Sequence, residues 1–352
     1  MRPLTLILAV TALQLVPSVP SPGDQLFARF GEYVDALRTQ AGIPGVTVAV
    51  VGENDLLWER GFGQQDVARA LVAQPDTPYY LDGLTQLFTA TLVLQCAEEG
   101  RLSLSDPIGK FDADSPWAGA TIAQALAHAH GSPDAQTFSY QLERLDPLKS
   151  AIRVCRGNSY RETMANLLVR LAMMSSVPGA DVITLVPPAE GVPDAAAAAR
   201  YNDVLARLAT AYAVSAPGEA TATAHVATTL TPATGLVSTV RDFAQFDLAL
   251  RKGLLLRPET LELAWTASPG AGGQPLPHGL GWFVQQYNGE RVVWQIGESP
   301  NASSSMVITV PARRLTLILF ANSDGLVKLF PLTAGDVTVS PFAKVFLRLF
   351  VS

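Results

Sequence analysis

Two cysteines, Cys96 and Cys155, and four histidines are all the sulfhydryl and imidazole groups in 352 residues. So few exclude a disulfide-dense scaffold and a cysteine-rich zinc module. Charge is also sparse: 16% of residues are charged, with 25 basic against 31 acidic side chains and a net charge of -6. Lys and Arg are scattered, so a nucleic-acid footprint is missing, and the acidic excess bears on solubility alone. No stretch reaches the ~20 apolar residues that a membrane-crossing helix needs. What remains is a globular chain, long enough to bury a substantial core in one domain with a helical subdomain.

Met1-Arg2-Pro3 precedes the apolar run LTLILAVTALQLV and then PSVPSPGD, with Val16 and Ser18 suited to a cut. A basic start, a short apolar segment and a small-residue end predict a signal peptide and linker over residues 1–21, hence export to a periplasm or beyond. A single domain is expected over 22–352. In it, Cys96 and Cys155 are expected as buried free thiols, with a disulfide as the alternative.

The chain is organised around Thr77–Gly100. Asp82-Gly83-Leu84-Thr85-Gln86 leads into Phe88, Leu92, Val93 and Cys96 at helical spacing, with Ala, Leu and Thr on the other faces. A helix apolar nearly all round is a buried, central one. Free N–H groups at its start would face a site. Upstream, Leu26, Phe27, Phe30, Tyr33, Val34 and Leu37 predict an amphipathic helix, and Val46–Val51 and Leu56–Phe62 predict a strand pair across the turn Gly52-Glu53-Asn54-Asp55. Downstream, Gly279–Val284, Arg291–Ile296, Met306–Val310 and Leu315–Phe320 predict an antiparallel meander, and Pro341–Val351 a closing helix. Ser175–His225, punctuated by Pro178, Pro187, Pro188 and Pro193 and holding the run Ala195–Ala199, reads as a variable insertion with a short helix over Tyr201–Tyr212.

The wording GIPGVTVAVV, WERGFG, TIAQALAHAHGSP and SYRETMANLLVRLAM, in this order around the central stretch, resembles the serine β-lactamases, esterases and D-alanyl-D-alanine peptidases of the penicillin-binding-protein type. The resemblance implies an α+β fold of the β-lactamase/transpeptidase kind. An antiparallel sheet from 42–65 and 278–325, with terminal helices, would pack on a mainly helical part over about 80–250, and a cleft would lie between them. It also implies three motifs. In the first, Ser-x-x-Lys, the Ser is acylated and the Lys eases its deprotonation; Gly83 and Gln86 stand there. In the second, Tyr-x-Asn, the register falls on Tyr140 and Leu142, with Tyr201-Asn202 as the competing placement. In the third, His-x-Gly or Lys-Thr-Gly, Gln295 and Gly297 stand there. His128 matches a family His beneath the cleft and is expected to be structural. His130 lies nearby without acidic or thiol partners at ligand spacing, so no metal and no cofactor are expected.

Nucleophile, Lys, Asn and the titratable group of the third motif are all replaced in one chain. The expectation is an exported, non-catalytic homologue that binds a peptide-like or cell-wall fragment through Gly83, Gln86, Tyr140, Gln295 and Glu298, with the N–H groups of Gly83 and Glu298 as an oxyanion-type pair. Two alternatives stand beside it: a hydrolase using Thr85, Ser299 or Ser303 instead, and a scaffold that meets a partner through an apolar patch. The sequence sets no oligomeric state.

Overall fold

The computed structural model describes residues 22–351 except 133, 134, 188, 217, 218 and 227. The expected leader, 1–21, lies outside the described residues. Helix α1 (Pro22–Gln40) leads into strand β1 (Gly45–Val51) and its antiparallel neighbours β2 (Leu56–Asp66) and β3 (Leu71–Val72). Short β4 (Tyr79–Tyr80) and a tight turn, Asp82–Leu84, deliver the chain to α2 (Thr85–Glu98). Next come α3 (Ile122–Leu126), the pair β5 (Ala129–His130) and β6 (Thr137–Phe138), then α4 (Leu148–Arg156) and α5 (Tyr160–Arg170). Strand β7 (Val177–Pro178), α6 (Ala195–Ala206) and the hairpin β8 (Tyr212–Ala216) to β9 (Glu219–Ala222) follow. Then come β10 (Leu236–Ser238), α7 (Val240–Arg251) and α8 (Pro258–Ala264). The meander β11 (Phe283–Tyr287), β12 (Glu290–Ser299), β13 (Ser303–Val310), β14 (Leu315–Ala321) and helix α9 (Pro341–Phe350) end the chain.

The main sheet is antiparallel in the order β11-β12-β13-β14-β1-β2-β3. Its central strands are solidly apolar because both faces are covered. Val46, Val48, Val50, Leu317 and Leu319 face α1 and α9 with Phe30 and Phe346. Ala49, Val51, Ile318 and Phe320 face the helical part, with Phe88 of α2 and Phe243 and Phe246 of α7. This is the expected α+β arrangement of the β-lactamase/transpeptidase kind. Residues Thr85 to Cys96 of α2 are all buried, as a helix without a polar stripe requires.

Local signals account for the element ends. Thr121 with Gln124 and Ser159 with Glu162 form reciprocal caps on α3 and α5. Gly157, at a φ of 75°, closes α4.

Two expectations need correction. The cysteines are not free: Cys96 of α2 and Cys155 of α4 form a disulfide, with 6.1 Å between Cα atoms. The two helices pack side by side, which brings together thiols 59 residues apart in sequence. The helix placed at Tyr201–Tyr212 starts earlier, at Ala195, where Asp194 caps the Ala197 N–H. The alanine run is its first turns, Ala being the best helix former, and Tyr212 opens a strand instead.

Candidate functional site

The turn Asp82–Leu84 lies against β12 and β13. The Ser305 hydroxyl donates to the Leu81 carbonyl at 2.7 Å, and the Leu81 N–H donates to the Leu236 carbonyl at 2.8 Å. Gly83 is therefore fixed under the sheet edge. A Cβ at this position would lie 2.7 Å from the Ile296 carbonyl oxygen, 3.3 Å from the Gly297 Cα and 3.3 Å from the Tyr140 hydroxyl. Side-chain carbons do not come that close to a backbone oxygen, so a serine here requires the strand to move. Gly297 answers Gly83: its own Cβ would lie 2.8 Å from the Gly83 nitrogen and also meet Leu81 and Ser305. The two glycines thus let the turn and the strand approach backbone to backbone, with no space for a Cβ on either.

The structure brings the motif side chains together as a closed network. Gln86 is buried, and its Nε2 donates to the Gly83 carbonyl and to the Tyr140 hydroxyl, each at 2.9 Å. Its Oε1 lies 2.9 Å from the His128 Nε2, which must then carry the proton, while the His128 Nδ1 accepts from the Gln141 N–H at 3.1 Å. The Tyr140 hydroxyl donates onward to the Gln295 Oε1 at 3.3 Å. Gln295, fully buried, donates through Nε2 to the Gly281 carbonyl at 3.1 Å and to the His278 Nε2 at 3.2 Å. The His278 Nδ1–H donates to the Gly279 carbonyl at 2.8 Å. Two neutral imidazoles in opposite tautomers therefore close the two ends of one chain of hydrogen bonds.

Aromatic stacking frames it. The rings of His128 and His278 lie 4.9 Å apart, Tyr140 stacks on Phe283 at 5.4 Å, and Phe283 on Trp294 at 4.2 Å. Burial drives both histidines down, His278 to about 3 and His128 well below its ordinary value, with His278 a second cause for His128. Burial likewise pushes the Tyr140 phenol up, and the Gln86 hydrogen bond only partly offsets this. Among the described residues the influences on the Tyr140 phenol are burial, Gln86 and Glu298, and no Lys or Arg is among them to make it a base.

Tyr140, not Tyr201, meets Gln86. Tyr201 and Asn202 sit on α6, where Tyr201 packs with Tyr80, Val177 and Val237. Leu142 opens a short turn, Leu142–Leu145, and packs on the main core. His130, exposed, lies 2.9 Å from the Thr137 hydroxyl, and no metal-holding cluster of His, Cys, Asp and Glu occurs among the described residues.

His278 was missed by sequence reasoning, because a single His ahead of Gly279-Leu280-Gly281-Trp282 belongs to no pattern. A second grouping was missed as well. The buried Ser303 hydroxyl donates to the Asp82 Oδ2 at 2.6 Å and lies 3.5 Å from the His225 Nδ1, and the His225 ring packs on Tyr80 at 4.1 Å. Burial raises the Asp82 carboxyl to about 7, opposed by the Ser303 bond and reinforced by Glu298. Glu298, half-buried, is itself raised by burial and then by Asp324. Asp82 adopts a φ of 48°, a conformation that Asp and Asn tolerate better than most residues.

Comparison with known proteins places this geometry. The β-lactamase family model matches residues 26–336. Protein flp of Staphylococcus aureus is 33% identical over 97 residues, 26% of this chain and 20% of that protein. The human mitochondrial serine beta-lactamase-like protein LACTB is 25% identical over 105 residues, 28% of this chain and 19% of that protein. The aligned segments span about a fifth of the length of these curated relatives. The octameric penicillin-binding protein homologue from Pyrococcus abyssi superposes with a TM-score of 0.70 at 19% identity, covering 85% of this chain and 74% of that one. For the class C β-lactamase from Rhodobacter sphaeroides the TM-score is 0.68 at 17% identity, covering 92% and 99%. These structural likenesses concern the fold, and with a family model matched across most of its length, the chain belongs to the β-lactamase family.

Proposed function

We propose that this protein is an exported, non-catalytic member of its family that works by binding rather than by turnover. One observation carries the reading: the nucleophile position is Gly83, and the Ile296 carbonyl, 2.7 Å from where a Cβ would stand, leaves no room for one. The neutral Gln86 amide, engaged with Gly83, Tyr140 and His128, supports it from the side of the missing base. Removal of a nucleophile alone usually costs several orders of magnitude in rate. Of the residues expected to meet a peptide-like or cell-wall fragment, Gln86 and Gln295 have their polar atoms engaged within the protein and share Tyr140 as a partner. Glu298, partly exposed and outside that network, is the group left to touch it, the Tyr140 hydroxyl being already engaged with Gln86 and Gln295.

The test is a panel of chromogenic β-lactams, short-chain esters and D-alanyl peptides offered to the purified mature protein, with calorimetry against muropeptides alongside. No turnover is expected, and turnover that disappears in Tyr140→Phe would overturn the reading.

A second reading, a hydrolase with another nucleophile, is favoured by the hydrogen-bonded group Asp82, Ser303 and His225. Against it, Ser303 is only 1% exposed, and it lies between acid and imidazole instead of next to the imidazole alone. Thr85 is fully buried, with its hydroxyl oxygen accepting from the Leu236 N–H at 3.3 Å. Any activity abolished by Ser303→Ala, with the fold intact, would select this reading.

A further inference from the structure

At the far end of α2 from Gln86, a cavity of about 190 Å³ opens between that helix and the elbow joining α4 to α5. Its polar lining is Gln95, Arg156, Asn158, Thr163, Asn166 and Arg170, and no carboxylate lines it. Two guanidinium groups in a crevice without an acid are unusual for a chain whose net charge is -6. We propose that this cavity binds a small ligand bearing one oxyanion, a carboxylate or a phosphate, clasped by Arg170, Arg156 and the amides of Asn158 and Asn166.

One wall is held by bonds, and Asn158, Asn166 and Arg170 stand exposed at the rim. Arg156 is fixed by both oxygens of Glu99, at 2.8 and 3.0 Å, and donates to the Gln95 Oε1 at 3.1 Å, while the Gln95 Nε2 donates to the Leu255 carbonyl at 2.9 Å. Glu99 balances the Arg156 charge, so attraction for an anion falls to Arg170. Among the described residues neither the Arg170 guanidinium nor the side-chain amides of Asn158 and Asn166 has a partner. Thr163, Asn166, Leu167 and Arg170 follow the spacing of one face of α5, so the donors point the same way. Asn158 sits between the left-handed Gly157 and the cap Ser159, a junction whose backbone is set by both helices. The Arg170 guanidinium and the Asn158 and Asn166 amide N–H groups are donors with no acid paired to them, the chemistry that selects an oxyanion.

The rest of the ligand has a place as well. A second cavity, of about 350 Å³, shares Asn158 and Asn166 and continues over Val169, Val182 and Pro193, with Glu162, Asp194 and Arg200 also in its lining. The occupant is therefore an anionic head held on the Arg170 side, with a body of mixed apolar and uncharged polar character that keeps the anion away from Glu162 and Asp194. The site is remote from Gly83 and Gln295, and its fate does not depend on whether the protein turns over a substrate.

The experiment is titration of the mature protein with inorganic phosphate and, in a separate arm, with N-acetyl-alanine and its uncharged amide, read by calorimetry and by side-chain amide NMR signals. The expected result is saturable binding of phosphate or of the N-acetyl amino acid, but not of the amide, with shifts at Asn158 and Asn166. Arg170→Gln should weaken it at least tenfold with the melting temperature unchanged, while Arg207→Gln, on a distant surface, should leave it intact. The arm that binds names the oxyanion. The absence of saturable binding in both arms, or binding indifferent to Arg170→Gln, overturns the proposal. If Arg170→Gln fails to fold, unmoved Asn158 and Asn166 signals in the natural protein at saturating ligand overturn it equally.

Discussion

The Gln86 amide donates to the Tyr140 hydroxyl at 2.9 Å while its oxygen lies 2.9 Å from the His128 Nε2, so one planar group joins two side chains that lie 54 and 42 positions further along the chain. Gln86→Ala would leave the His128 N–H and the Tyr140 hydroxyl short of a partner in a buried setting. A loss of about 1–3 kcal/mol is expected, the cost of orphaned buried polar groups. Tyr140→Phe, which removes one donor and one acceptor together, should cost about 1 kcal/mol. Urea unfolding of the two variants measures both.

Gly83→Ser should destabilise by about 1–3 kcal/mol, an overpacking cost, because its Cβ would meet the Ile296 carbonyl at 2.7 Å. Gly83→Ala should cost nearly as much, since the clash lies at Cβ and not at the hydroxyl. If Gly83→Ser unfolds at the same urea concentration as the natural protein, the strand yields freely and the steric argument is wrong.

Acid should weaken the fold through the paired imidazoles. His128 and His278 have folded pKa values below their ordinary 6.5, so the unfolded chain takes up protons first as pH falls. Stability then declines below about pH 6.5 and goes on declining until His278 titrates in the folded state, near 3. His278→Gln should flatten this slope in melting curves taken from pH 7 to 4. An unchanged slope would mean that His278 is already charged in the folded protein.

Asp82 acts with the opposite sign. Its folded pKa of about 7 exceeds the ordinary 3.8, so the folded chain holds a proton that the unfolded chain has lost. Its contribution is greatest below about pH 4 and fades as pH rises to about 7. Asp82→Asn suits the left-handed backbone and still accepts from Ser303. The difference in melting temperature between variant and natural protein should therefore grow from pH 4 to 7 in favour of the variant.

Reduction of Cys96–Cys155, or Cys96→Ala with Cys155→Ala, releases a loop of 59 residues in the unfolded chain. The chain-entropy argument gives a loss of about 4 kcal/mol. Both sulfurs are buried, so a reductant should act only together with a denaturant. A lower melting temperature in the double variant checks the first point, and resistance of the native protein to reductant alone checks the second.

The periodic parts of the fold were legible: the all-round apolar pattern of α2, the solid strands β1 and β14, and the closing helix each follow from burial on known faces. The gathering of Gly83, Gln86, Tyr140, Gln295 and Gly297 was legible through the resemblance of motifs. What the side chains do once gathered was not, because a hydrogen bond between Tyr140 and Gln295 spans 155 residues and leaves no local trace. The same holds for Asp82 and Ser303, 221 residues apart, and for Cys96 and Cys155, whose approach depends on two helices settling side by side. Ala195–Ala199 misled for the reverse reason: a monotonous run carries no face, yet one capping aspartate was enough to start a helix.

The Ile296 carbonyl, 2.7 Å from where a Gly83 Cβ would stand, also limits what this position can become. A nucleophile at this position demands a side chain and a shifted strand at the same moment. The tight fit around Gly83 therefore acts as a barrier to change at this position: any side chain placed there alone meets the strand before it can meet a ligand.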